Sequence, residues 1–187
     1  MAEVKGAWFV TARRVILDQH GVGGLARVRA SLGEDHAGSL AAPVASAWYP
    51  EAALQRALEA VNVDLCGGDP ERLSAFVEAC TVVGINRFLR AVLSLSSPAY
   101  VLAKMPTFWS RHRRNNGKLV VDIAARTSRL SYTGFPFFDD PTYRIFIRAI
   151  IRRTMEITSG ERPEVTVRDY ARDRLTLDVF FKTLRLR

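Results

Sequence analysis

Few side chains in this sequence could do chemistry, and they are scattered. Histidines stand at His20, His36 and His112, and cysteines at Cys66 and Cys80. None forms a His-x-x-x-His or Cys-x-x-Cys pair, so zinc has no signature. Gly-x-Ser-x-Gly elbows, Walker loops and dinucleotide fingerprints are absent. Gly21-Val22-Gly23-Gly24 lacks the preceding strand that a phosphate loop requires. Catalysis therefore has no candidate constellation, and the expectation is a non-enzyme with no metal and no cofactor. His20, at an expected helix C-terminus, reads as a group complementing the dipole. Both cysteines read as small buried hydrophobes.

Arginine is what the chain has in quantity. Arg144, Arg148 and Arg152 recur every four residues along one helical face, with Arg153 beside them. Asp140 is expected to pair with Arg144 and Glu156 with Arg152, which leaves Arg148 most available. That row is either a solvated helix face or a surface docking on an acidic partner. A second basic run, Arg111-His112-Arg113-Arg114-Asn115-Asn116-Gly117-Lys118, follows Phe108 and Trp109 and contains an Asn-Gly turn. Aromatic plus arginine suits nucleic acid, a protein hot spot or a solubilising corner. Trp109, Arg111, Arg113, Arg114, Arg144, Arg148 and Arg152 are thus the candidates for binding a partner or an anion.

These residues sit in the basic part of an uneven chain. Of 187 residues, 1–103 hold 9 Lys+Arg and 10 Asp+Glu, whereas 104–187 hold 18 and 9. A net −1 part joined to a net +9 part points to an acidic partner: nucleic acid, an anionic membrane or an acidic protein. The 23 Arg against 4 Lys also fit a GC-rich genome. With 48% hydrophobic residues, three Trp, five Tyr and ten Phe, the chain can build a core, and disorder is excluded for most of it. No run of about 18 uncharged apolar residues exists to span a bilayer. Arg13 and Arg14 interrupt the first apolar segment, as no signal-peptide core tolerates, so a cytoplasmic protein is expected.

Periodicity supplies the elements that position these groups. Apolar residues three and four apart make residues 1–110 a helical half. The first helix is expected to stop near Gly21. A small-residue loop lies around Gly38-Ser39 and Pro43, and Trp48-Tyr49-Pro50-Glu51 opens a helix with Pro in its first turn. Asp69-Pro70-Glu71 starts another, whose inward face runs from Leu73 through Phe76, Cys80 and Phe88 to Leu95 until Pro98 breaks it. The period then changes. Strands are expected at 118–123, 129–133, 164–168 and 175–181, with a helix after Asp139-Asp140-Pro141 that ends near Gly160. The expectation is one α+β domain, 1–187. Its helical half, 1–110, precedes an antiparallel β-β-α-β-β half, 111–187.

That order, with Lys5-Gly6 at the start, resembles the haem nitric-oxide-binding (H-NOX) domain and its haem-free relatives, the V4R small-molecule-binding domains and the TRAPP tethering subunits. Lys5-Gly6, Trp48-Tyr49-Pro50 and Ser97-Pro98 followed by Trp109 also resemble a family of proteins of about this length, present as many paralogues in myxobacteria, whose activity is not established. The H-NOX resemblance implies a histidine on a long helix and a Tyr-x-Ser-x-Arg clamp after the first strand. Here the histidine position falls in Ser96-Ser97-Pro98-Ala99, which holds none. At the clamp, Tyr132-Thr133-Gly134-Phe135-Pro136 keeps Tyr but has Gly for Ser and Pro for Arg. Axial ligation and propionate pairing are both missing by that route, so a haem gas sensor ranks last.

The V4R-like relatives imply an apolar ligand between helices and sheet. Phe88, Tyr132, Phe135, Phe137, Phe138 and Tyr143 would line such a pocket or fill it as packed core. The functional expectation is a signalling or scaffolding module working through a protein partner or a small apolar ligand, with homodimerisation plausible by analogy. Polyanion binding through the basic half is the alternative.

Overall fold

A computed structural model describes residues 1–124 and 127–181. The helical half comprises α1 (Ala7–Ser31), α2 (Glu34–Ala41), α3 (Glu51–Asp64), α4 (Pro70–Gly84), α5 (Arg87–Leu95) and α6 (Pro98–His112). It is followed by β4 (Lys118–Ile123), β5 (Thr127–Thr133), α7 (Pro141–Ser159), β6 (Glu164–Ala171) and β7 (Arg174–Phe180). The last four strands form an antiparallel sheet in the order β4-β5-β7-β6. The α+β architecture follows the expected element order, with three differences.

First, three very short strands form a second antiparallel sheet. β1 (Glu3–Lys5) lies between β2 (Trp48–Pro50) and β3 (Arg113–Arg114). Strands of two or three residues carry no readable alternation. Second, the first helical segment stops at Gly21 as expected (φ 65°, ψ −168°), but a second segment resumes directly after it, so α1 is two segments meeting at a kink. That backbone region is open essentially to glycine alone, so the residue ends the first segment and redirects the chain into the second. Third, α2 occupies residues expected to form a loop, and the long helix after Asp69 divides into α4 and α5 at Ile85-Asn86. Asn86 caps α5 by accepting from the Leu89 N–H at 2.8 Å.

Local capping explains the other starts. Asp69 accepts from the N–H groups of Glu71 and Arg72, Ser97 from Tyr100 and Asp140 from Thr142, each with Pro at the first helical position. Inside the sheet, Leu130 and Tyr132 of β5 and Leu175, Leu177 and Val179 of β7 alternate inward to one hydrophobic core. That core also takes in Phe9, Ile16, Leu54, Leu58 and Phe146 from the helices. α7 packs chiefly on α4, and α6 lies against β4. On the outer face Asp178 sits buried between Arg129 (3.1 Å) and Arg168 (2.8 Å).

Candidate functional site: an apolar cavity between helices and sheet

The packing of these elements leaves a gap. α6 lies on β4 and α7 on β6, and a cavity of about 310 Å³ remains among α1, α4, α5, α6, β4, β5 and α7. Its apolar walls come from Leu89 and Leu93 of α5, Met105 of α6, Leu119 of β4, and Ile147 and Ile151 of α7. α5 closes one side through its inward face, whereas Phe88, Val92 and Leu95 on the same helix point outward. A second, more open depression of about 530 Å³ lies between α1 and Ala41–Pro43, where Val10, Leu17 and Ala41–Pro43 share the lining with the charged Arg13, Arg14 and Asp18.

One end of the cavity is polar. Lys5, His112 and Arg113 line it, and no carboxylate does. The Arg113 side chain is only 9% exposed, and its Nε donates to Glu51 Oε1 at 3.3 Å. Glu51 is completely buried at the start of α3. Its carboxylate also accepts from the Tyr143 hydroxyl at 2.6 Å and from Asn116 Nδ2. A buried carboxylate persists only if donors replace its lost water, and these three elements supply them. The guanidinium lies 4.3 Å over the Trp109 ring. Trp109 in turn donates from Nε1 to the Asn116 carbonyl at 3.2 Å, fixing the corner between α6 and β4.

Burial, with the neighbouring Glu51 charge, holds the Tyr143 hydroxyl proton well above the ordinary tyrosine range. Burial likewise pushes up the Tyr132 hydroxyl and the Cys80 thiol, both on the cavity wall. These groups stay protonated, and none is a nucleophile at neutral pH.

The expected pocket residues are placed differently. Of the six, Tyr132 lines the cavity. Phe135, Phe138 and Tyr143 pack into one another beside it, with ring centroids 4.7 Å (Phe135–Phe138) and 5.1 Å (Phe135–Tyr143) apart. Phe137 stacks on Tyr143, and Phe88 is 78% exposed because α5 turns its 88–92–95 stripe away from the core. The aromatic cluster is the wall behind the cavity.

The basic candidates are mostly committed to the protein itself. Arg152 is held by Glu78 and Ser74 rather than Glu156, which pairs with Arg153 and Arg162. Arg144 donates to the carbonyls of Phe138 and Asp139, not to Asp140, and Arg148 donates to the Val165 carbonyl. Arg114 pairs with Glu3, and Trp109 is buried. Arg111 is exposed with no ion-pair partner among the described residues. The Arg144–Arg152 row is therefore no open basic face. It fastens α7 to α4, to β6 and to its own N-terminal turn.

No family model matches this chain, and no curated protein matches it in sequence. Solved structures do. The Fe(II) unliganded H-NOX protein from K. algicida superposes with a TM-score of 0.70 over 98% of this chain and 100% of that one, at 12% identity. An oxygen-binding H-NOX domain related to soluble guanylate cyclases gives 0.64 over 98% and 97%, also at 12% identity. A further H-NOX structure, from work on haem distortion, gives 0.69 over 98% and 97% at 13% identity. This chain has the H-NOX fold. Nothing in the cavity forms a metal cluster: no group of three or more His, Cys, Asp or Glu stands together among the described residues. No helix among them is long and apolar enough to cross a membrane.

Proposed function

We propose that this chain is a haem-free, non-enzymatic sensor module, which takes a small apolar molecule into the cavity between its helices and its sheet and passes occupancy to a protein partner. The observation that carries this reading is the cavity itself: about 310 Å³, walled mainly by apolar side chains and closed on one side by the nine-residue α5. Its H-NOX-like neighbours, which share the fold, include an oxygen-binding domain, and sensing is the use this fold suggests. α5 is joined to its neighbours by the Ile85-Asn86 break and the Ser96-Ser97 caps, so it is the element a ligand would displace. Its outward Phe88, Val92 and Leu95 would then report to the partner. A cytoplasmic location fits this reading.

The residues present do not fit an iron porphyrin held by the route the resemblance implies. Ser96 to Ala99 form the α5–α6 joint and offer no imidazole. Gly134 gives its N–H to the Asp173 carbonyl at 2.7 Å, and Pro136 has no charge to pair with a propionate. Cys80 and Tyr132 keep their protons. His112 sits exposed in the last turn of α6 with Nδ1 2.9 Å from the Phe108 carbonyl. Purification from a native host, followed by solvent extraction and mass spectrometry, tests the reading. The expected result is a stoichiometric apolar small molecule and no Soret band. A Soret band, or an Ile147→Trp variant that leaves a co-purifying molecule undiminished, overturns it.

A further inference from the structure

Resting on that cavity reading, we infer that the ligand is an aliphatic monocarboxylate, whose carboxylate is received by Arg113 Nη2 and Trp8 Nε1 while its chain lies among the walls of α5 and α7. Four observations converge on this.

Among the described residues, the charged side chains on the cavity wall are basic, Lys5 and Arg113, with His112 beside them. Lys5 has no carboxylate partner among the described residues; its Nζ donates to the Ser46 carbonyl at 2.9 Å and lies over the Trp48 ring. The Arg113 side chain is nine-tenths buried, yet its Nη2 has no hydrogen-bond partner. Trp8 Nε1 is likewise buried without one, and Trp8 and Arg113 line the same cavity. Buried donors are nearly always paired, so two unpaired donors on residues that line one cavity point to an acceptor that belongs beside them.

The pairing of Glu51 explains why Nη2 is spare. Tyr143 and Asn116 already donate to that carboxylate, and Arg113 contributes its Nε. A guanidinium presents a planar fork of five N–H groups, so a second carboxylate can be taken from another side of the same plane. Trp8 is held edge-on to Phe146, ring centroids 5.5 Å apart, which fixes the direction of its indole N–H. The rest of the lining is mainly apolar, aliphatic on α5 and α7 and aromatic at Phe108, Trp109, Tyr132 and Phe146, and the threonines Thr11, Thr81 and Thr154 add only small hydroxyls. Such a wall suits a hydrocarbon chain without further polar groups.

The test uses the full-length protein, titrated at pH 7.5 with decanoate and with methyl decanoate and followed by tryptophan fluorescence and calorimetry. Decanoate is expected to bind at least tenfold more tightly than its ester. Trp8→Phe keeps the ring packing and removes one donor. It should weaken decanoate several-fold while leaving the ester unchanged, and Arg113→Lys should do the same more strongly. Because Arg113 also serves Glu51, its variant is first checked for a native unfolding transition; the Trp8 variant and the acid-to-ester ratio do not depend on it. Equal affinities for acid and ester, or a Trp8→Phe variant that loses both alike, overturn the carboxylate assignment and leave the apolar cavity standing. Absence of any decanoate binding also overturns it, and the co-purification experiment then judges the cavity separately.

Discussion

Glu51 is completely buried, and three donors aimed at its carboxylate decide whether that charge can stay. Breaking a buried ion pair by removing one partner costs about 3–5 kcal/mol, because the other charge is left uncompensated. Glu51→Gln is therefore expected to lower unfolding stability by that order, read as a drop in the urea midpoint at unchanged slope. Tyr143→Phe should cost about 1–3 kcal/mol, since the carboxylate keeps its other donors. The Tyr143 proton also has a pH consequence. Its folded pKa lies above the unfolded value of about 10, so its contribution is fully present below that value and is lost as pH rises above it. Wild type should destabilise on the alkaline side of pH 10, less steeply in Tyr143→Phe. None of this was legible in the sequence. A Glu after Pro50 reads as an ordinary first-turn acid, and nothing marks Asn116 or Tyr143 as its partners 65 and 92 residues away. The arginines misled for a similar reason: four-residue spacing reveals a shared face but not what already occupies it.

Elements with strong local punctuation were legible, and those defined by distant contacts were not. Asp-Pro at 69 and 140 place two helix starts correctly, because capping needs only neighbouring residues, whereas Pro98 was legible as a break and not as the first residue of a helix capped by Ser97. The stop at Gly21 was legible, because glycine alone readily enters that backbone region, whereas the immediate restart of the helix was not. Gly21→Ala should cost about 1–3 kcal/mol from backbone strain alone, without loss of a contact, measured by thermal unfolding. Gly117 is harsher: at φ +69° a Cβ there would stand 1.9 Å from the Thr133 carbonyl oxygen, backbone against backbone. Gly117→Ala is expected to prevent the β4–β5 pairing and abolish soluble folded protein. In the sheet, burial pushes the Asp178 carboxyl up, but hydrogen bonds from Arg168 and Arg129 pull it below its usual value. Its contribution is thus present above about pH 4 and lost as pH falls through the lower folded value. Asp178→Asn should flatten the acid limb of the stability–pH curve and cost about 1 kcal/mol at neutral pH.

At the scale of the whole molecule, the order of elements was readable, and the V4R-like resemblance offered a pocket between helices and sheet, but the residues that line the cavity were not readable. An empty space is a property of how unequal side chains meet, and the aromatic residues that looked suited to line it pack against one another behind it. An occupant binding only the folded state should raise the melting temperature by several degrees at about a hundredfold excess over its dissociation constant, following the roughly 2.7 kcal/mol that mass action supplies. The small sheet has a different consequence. Glu3 of β1 meets Arg114 of β3 across 111 positions of chain, and β2 flanks it on the other side. During synthesis, at about 5–20 residues per second, that clasp stays half-fastened for roughly 6–20 seconds after the first strand emerges. The helices made in between emerge before the strand that completes that sheet exists, so its closure belongs to the late part of synthesis.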